Sequence, residues 1–441
     1  MDDKTKSGGV LGAPVTRRRV LAGAAAGGVA MLLGSARVFA AEDEDLRIGF
    51  ISPRSGNLGA FGAADPYILG LGRKELAKGI NVGGKNYRVR FIDRDTQSSP
   101  SRASQLANEL ITKEHVNLML CTSTPETVNP VSDACEAAGV PSLASDCPLE
   151  SFYFGRGGKP GQPSPFKWSF DFSFGTEQFL KAYLSMWAQL PTNRKVAVMY
   201  PNDADGTAVR DNLAPQFEKA GYKVIDPGPY QDGTTDYSSQ IALFNRENCQ
   251  IFNTFPIPPD FNTFWRQAAT LHYTDKVVIA QIAKTGLFPG QVEPLSVLGY
   301  NLATATFWSP VFPYKSSITG HASQWLADGY EKASGRQWMQ QVGVSMALLE
   351  ACVDVLKASG DPTDKAKVRD AIATLDTVTT LGRVNFKAGP YPNTATTPEI
   401  GAQWVKAKPG SKYKLDLVTV EHVNDPDIPI QRKLVPYNGR A

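Results

Sequence analysis

The sequence runs to 441 residues, 42% of them hydrophobic, which is ample for globular cores. With 46 Lys/Arg against 43 Asp/Glu and a formal charge of +3, it supplies no basic excess for a nucleic-acid surface or a polybasic membrane patch. Five scattered cysteines without a CxxC exclude a disulfide scaffold and speak against a zinc site.

At the start of the chain, Thr16-Arg17-Arg18-Arg19-Val20-Leu21 heads an uncharged run from Ala22 to Leu33, closed by Val38-Phe39-Ala40. This pattern predicts a twin-arginine export signal over residues 1–40, cleaved near Ala41. The apolar run is too short and too glycine-rich for a membrane anchor. Lys4, Lys6, Arg17, Arg18, Arg19 and Arg37 all lie in the signal, so the remainder is close to neutral. Its length predicts two or three domains and its destination is the periplasm, where disulfides are permitted. Cys121 and Cys147 end two successive predicted strands and form the expected bridge.

From Leu46 onward strands and helices alternate. Leu46–Ile51 is a buried strand, Ala64–Lys78 a helix, Tyr87–Asp93 a strand and Pro100–Lys113 a helix. Val116–Leu120, the helix Pro125–Ala138 and Val140–Ala144 complete a first series, which implies a parallel sheet covered on both faces. The Gly/Pro-rich loop 155–165 breaks the pattern and leads into Phe166, Trp168, Phe170, Phe172 and Phe174, alternating on one face. Most of these should cover a core, while Trp168 or Phe170 is expected to reach a ligand.

A second series follows: helix Glu177–Gln189, strand Lys195–Tyr200, helix Gly206–Lys219 and strand Tyr222–Asp226. Helix Tyr237–Asn245, strand Cys249–Phe255, helix Pro259–Leu271 and strand Lys276–Ala280 continue it. Two serial α/β modules mean two lobes. Leu302–Trp308 is predicted as a strand crossing back, and Ser323–Ala333, Met339–Ser359 and Val368–Leu375 as helices. Gly382–Phe386 and Lys414–Thr419 are predicted strands, and the last twenty residues an extended tail.

The motifs of known chemistries fail here. Gly79–Asn86 mimics a phosphate loop, but Asn86 replaces the required hydroxyl and the segment runs from helix to strand. Gly155-Arg156-Gly157-Gly158 follows no buried strand. Four dispersed histidines and no nucleophile motif leave no catalytic residue to name, and no cofactor or metal is expected. Binding loops read better, because ligands of doubly wound sheets meet the loops beyond the strands' carboxyl ends. Those loops are Ser52–Gly56, Cys121–Pro125 and Ser145–Pro148. Thr122, Ser123 and Thr124 place three hydroxyls at a helix start, more than capping needs, where a carboxylate can be held.

Leu46–Gly56, Ala60-Phe61-Gly62, Cys121–Thr124, Gly139-Val140-Pro141, Val196–Tyr200 with Gly206, Lys219–Tyr222 and Thr235–Ser238 occur in order at familiar separations. Together they resemble the leucine/isoleucine/valine-binding protein family, type I periplasmic solute receptors of ABC importers. The resemblance implies an α/β fold of two doubly wound parallel-sheet lobes joined by three hinge crossovers. The expected organisation is residues 46–169 plus 306–380 in the N-terminal lobe, and 170–305 plus 381–441 in the C-terminal lobe and tail. It implies ligand contacts from Arg54, Ser55, Phe61, Thr122, Ser123, Thr124, Asp146, Cys147, Pro258, Gln281 and Lys284. Departures concern the ligand: no acid occurs in Gln281–Lys284, Pro148 replaces a hydroxyl, and Asp205 stands where a tyrosine is usual. These argue against a branched-chain amino acid and, with Lys284, for a small organic acid with an aromatic body. The expected role is capture of that solute by a monomer and delivery to a permease–ATPase complex. A sensory receptor subunit and a Tat-exported hydrolase are the alternatives.

Overall fold

The computed structural model describes residues 44–439, so the export signal expected over residues 1–40 lies outside the described residues. Leu46, Ile48 and Phe50 bury one face of strand β1 (Glu44–Ser52). A hairpin of β2 (Ile80–Val82) and β3 (Lys85–Asp95) turns at Gly83-Gly84, so the phosphate-loop mimic is a β-turn. Strands β4 (Leu118–Thr122), β5 (Ser142–Ser145) and β6 (Ser169–Ser173) follow. Pairing is parallel in the order β3-β1-β4-β5-β6. The order reverses between β1 and β4, which opens a crevice beyond their carboxyl ends.

The chain then crosses to a second sheet of β7 (Lys195–Met199), β8 (Lys223–Ile225), β9 (Ile251–Thr254), β10 (Ile279–Ile282) and β11 (Ala303–Thr306). These are parallel in the order β8-β7-β9-β10-β11. It returns to the first lobe for three helices, the hairpin of β12 (Asp376–Thr379) and β13 (Gly382–Asn385), and β14 (Thr394–Thr396), which pairs with β6. A third crossing leads to β15 (Ile400–Lys406) and β16 (Leu415–Thr419), antiparallel additions beside β11.

Two seven-stranded sheets and three crossovers therefore make the two-lobe architecture the resemblance implies. The boundaries shift, however. Since β6 and β14 belong to the first sheet, the first and third crossovers fall after Ser173 and after Thr396. The expected helix Gly206–Lys219 is two helices, Ala204–Asn212 and Ala214–Lys219, with Pro215 in the first turn of the second. The expected tail folds back: the Tyr437 backbone N–H donates to the Val278 carbonyl, and the Trp265 indole donates to the Tyr437 hydroxyl at 2.8 Å.

The expected Cys121–Cys147 bridge is absent, and all five cysteines are buried thiols. Cys121 faces Ala144 across the sheet, leaving Cys147 three residues farther along. The turn at Asp146, with its φ of +67°, carries Cys147 off the strand into the first lobe's core as a separate buried thiol.

The helix Gln341–Ala358 is buried on nearly every side, as its Ala/Val/Leu content requires. Gly343 lets it lie against Trp308, because a Cβ there would come within 2.1 Å of the indole Cγ. At an exposed helical site Gly→Ala gains about 1 kcal/mol. Here Gly343→Ala should instead lose about 1–3 kcal/mol through overpacking, read from urea denaturation.

Candidate functional site

The carboxyl ends of both sheets face a narrow cavity of about 30 Å³. Phe61, Thr124, Asp146 and Pro148 line it from the first lobe; Asp205, Phe255, Ala283, Lys284 and Leu287 line it from the second. The crossovers supply Phe174, Phe307 and Glu399, and strand β11 of the second lobe adds Ala305. Phe174 stacks on Phe307 at 5.0 Å between centroids, and Phe179 meets Phe174 and Phe255 edge-on. Phenylalanines thus supply five of the fourteen lining residues. The lobes touch at the rim, where the Ser151 hydroxyl donates to Asp205 at 3.0 Å and Phe61 packs edge-on against Phe288 at 4.9 Å.

Close backbone approach sets the second lobe's polar wall. A Cβ on Gly206 would lie 1.9 Å from the Pro201 carbonyl oxygen, so only glycine allows this helix start. Asp203 caps the helix by accepting from the Gly206 N–H at 2.6 Å. Its other oxygen and Asp205 then hold the Lys284 ammonium at 3.1 and 2.8 Å. All three are buried. Burial raises Asp205 to about 6, with Lys284 opposing, whereas the two aspartates overcome desolvation and hold Lys284 well above the usual lysine value.

In the first lobe, Asp146 follows β5 at a φ of +67°. It accepts from Gln341 Nε2 at 3.4 Å, and its Oδ1 has no partner among the described residues. Burial pushes its carboxyl up to about 8, reinforced by Asp205 and Asp65. Glu399, on the third crossover, is likewise buried with Oε2 unpartnered; burial first and Asp146 second raise it well above the ordinary range.

Of the residues expected to bind, Phe61, Thr124, Asp146 and Lys284 come together on the cavity. Thr122 and Ser123 are buried beside Thr124 with unpartnered hydroxyls, but do not line it. Arg54 and Ser55 lie elsewhere, tied into a surface network by Arg54–Asp93 at 2.6 Å and Ser55–Asp95 at 2.7 Å. Cys147 is packed in the first lobe's core and Pro258 opens a helix. Gln281 faces the second lobe's interior, accepting from the Trp187 indole at 2.7 Å. Lys284 is a correction of another kind, because two aspartates already occupy it. The Arg369 guanidinium lies over the Trp168 ring and Phe170 meets Phe386 edge-on, so Phe174 is the member of the alternating row that reaches the cavity.

A hinged, two-lobed receptor that encloses a small molecule between its strand tips is the class of protein these features define. The chain belongs to the periplasmic binding protein family, which matches residues 45–409. It is similar in structure to the leucine-binding protein LivK of Thermotoga maritima, at 18% identity and a TM-score of 0.68, over 87% of this chain and 99% of that one. A solute-binding protein of an R. palustris ABC transporter, solved with 4-hydroxybenzoate, aligns at 17% identity and a TM-score of 0.71, over 88% and 99%. LivJ of Streptococcus pneumoniae, solved with isoleucine, aligns at 14% and 0.63, over 89% and 100%. At these identities the likeness is one of fold.

Two outcomes follow from the buried charges. Lys284→Met leaves Asp203 and Asp205 without a cation and should cost about 3–5 kcal/mol in chemical denaturation. Between about pH 4 and 8 folded Asp146 keeps a proton that the unfolded chain releases, so stability falls as pH rises across that window. Each such group contributes about 1.4 kcal/mol per pH unit, and Asp146→Asn should flatten the ligand-free profile accordingly.

Proposed function

We propose that the chain is the periplasmic receptor of an ABC importer, which captures a small organic solute between its lobes and delivers it to a permease and ATPase. The cavity at the strand tips, with its five phenylalanines, carries this reading, since each of the three crossovers contributes a residue to its lining. Binding is followed by closure, with no bond made or broken. Among the described residues no helix is long and apolar enough to cross a membrane. The export signal expected from the sequence supports a periplasmic location.

An aromatic or apolar body suits Phe61, Phe174, Phe179, Phe255 and Phe307. Thr124, with Thr122 and Ser123 behind the same turn, is assigned to its polar contacts. A carboxylate end, expected from Lys284, has no free cation to meet it.

Native mass spectrometry of purified protein should find a co-purifying small molecule. Small-angle scattering should show the radius of gyration rise when it is stripped and fall when it is restored. An unchanged radius with and without the solute contradicts closure around it.

A further inference from the structure

The chemistry of the cavity points past its shape to the polar end of the solute. Resting on the receptor role proposed above, we infer that the solute carries a protonated nitrogen, as a primary amine or amidine on a flat apolar body, held by Asp146 and Glu399.

The charge inventory comes first. Asp146, Glu399 and Asp205 line the cavity against one cation, Lys284, which is shared by Asp203 and Asp205. Asp146 is 4% exposed and Glu399 1%, and each presents a carboxylate oxygen with no partner among the described residues. Burying a carboxylate without a partner is costly, and removing water from an anionic ligand beside it would cost more. A cation entering the cavity reverses that cost by supplying both missing partners. An anion brings no positive charge that would let these carboxyls ionise, so it gains from Asp146 and Glu399 only hydrogen bonds to their protonated forms.

The walls point the same way. Ring faces carry negative charge density, so a cage of phenylalanines attracts an organic cation once water is excluded. Phe174 and Phe307, from the first and second crossovers, stack in the cavity that Glu399 enters from the third. Ala283 and Lys284 line the same cavity, but its unpartnered acids come from the turn after β5 and from the third crossover; Gln281–Lys284, where the resemblance would have put an ammonium-binding acid, contains none.

Protons report the event. The groups bearing on Asp146 are Gln341, Asp65 and Asp205, with Glu399 and Asp171 feeling its charge in turn. Of these, only Gln341 favours the ionised form of Asp146. Empty, the Asp146 carboxyl sits at about 8 and is protonated at neutral pH; a bound ammonium favours its ionised form. Binding therefore releases protons at pH 7, and affinity rises with pH up to about 8 while the amine stays charged.

Three probes share one aromatic body: phenethylamine, phenylalanine and 3-phenylpropanoate. Calorimetry on stripped protein at pH 7, in two buffers of different ionisation enthalpy, should rank them in that order. Phenethylamine should bind at least tenfold tighter than 3-phenylpropanoate and release protons. Asp146→Asn and Glu399→Gln should each weaken phenethylamine at least tenfold, with ligand-free melting temperatures unchanged or raised, which shows that the variants fold. Equal or tighter binding of 3-phenylpropanoate overturns the cation assignment and leaves the receptor role intact. Undiminished phenethylamine binding in both variants overturns it as well. Binding by none of the three sinks the assignment, while the receptor role answers separately to the co-purifying molecule.

Discussion

The buried Lys284 ammonium, divided between Asp203 and Asp205, is the interaction on which the site depends. It fixes the polar wall of the second lobe by tying the loop after β10 to the helix start after β7. It also takes the one lysine on the cavity out of reach of a ligand. Asp205 then turns its other oxygen to Ser151 of the first lobe, so the same aspartate links charge balance within one lobe to contact between the two. A buried ion pair adds little net stability for its own sake, because desolvation offsets the attraction. Its value here is positional.

Around that fixed point, the three crossovers bring distant parts of the chain to one place. Phe174, Phe307 and Glu399 belong to the first, second and third crossings, yet all line the same cavity. The central helix secures both sides: the Gln340 side chain accepts from the Phe307 N–H at 2.9 Å, and Gln341 reaches Asp146. In the proposed closure, a solute touching the crossovers would touch the hinge itself.

The two-lobe architecture was legible because buried parallel strands write continuous apolar runs between helical periods, as Leu46–Ile51 and Lys195–Tyr200 do. Strand β14, Thr-Ala-Thr, carries no such run and exists because β6 offers it an edge, so the third crossover was misplaced. The site was legible only where chain-local chemistry marks it, as at Phe61 and the turn holding Thr124. Lys284 was seen as a ligand-facing cation, because nothing local reveals that Asp203 and Asp205, some eighty residues earlier, fold onto it. Glu399 gave no signal at all. Its role comes from where a crossover passes, a property of the assembled fold.

A crystal structure of the protein with its co-purifying solute tests the central claim most directly. The account predicts that molecule in the cavity between Phe61, Phe174 and Phe307, its polar end against Asp146 and Glu399. A solute bound outside the interlobe cavity, with those carboxylates untouched, would contradict it.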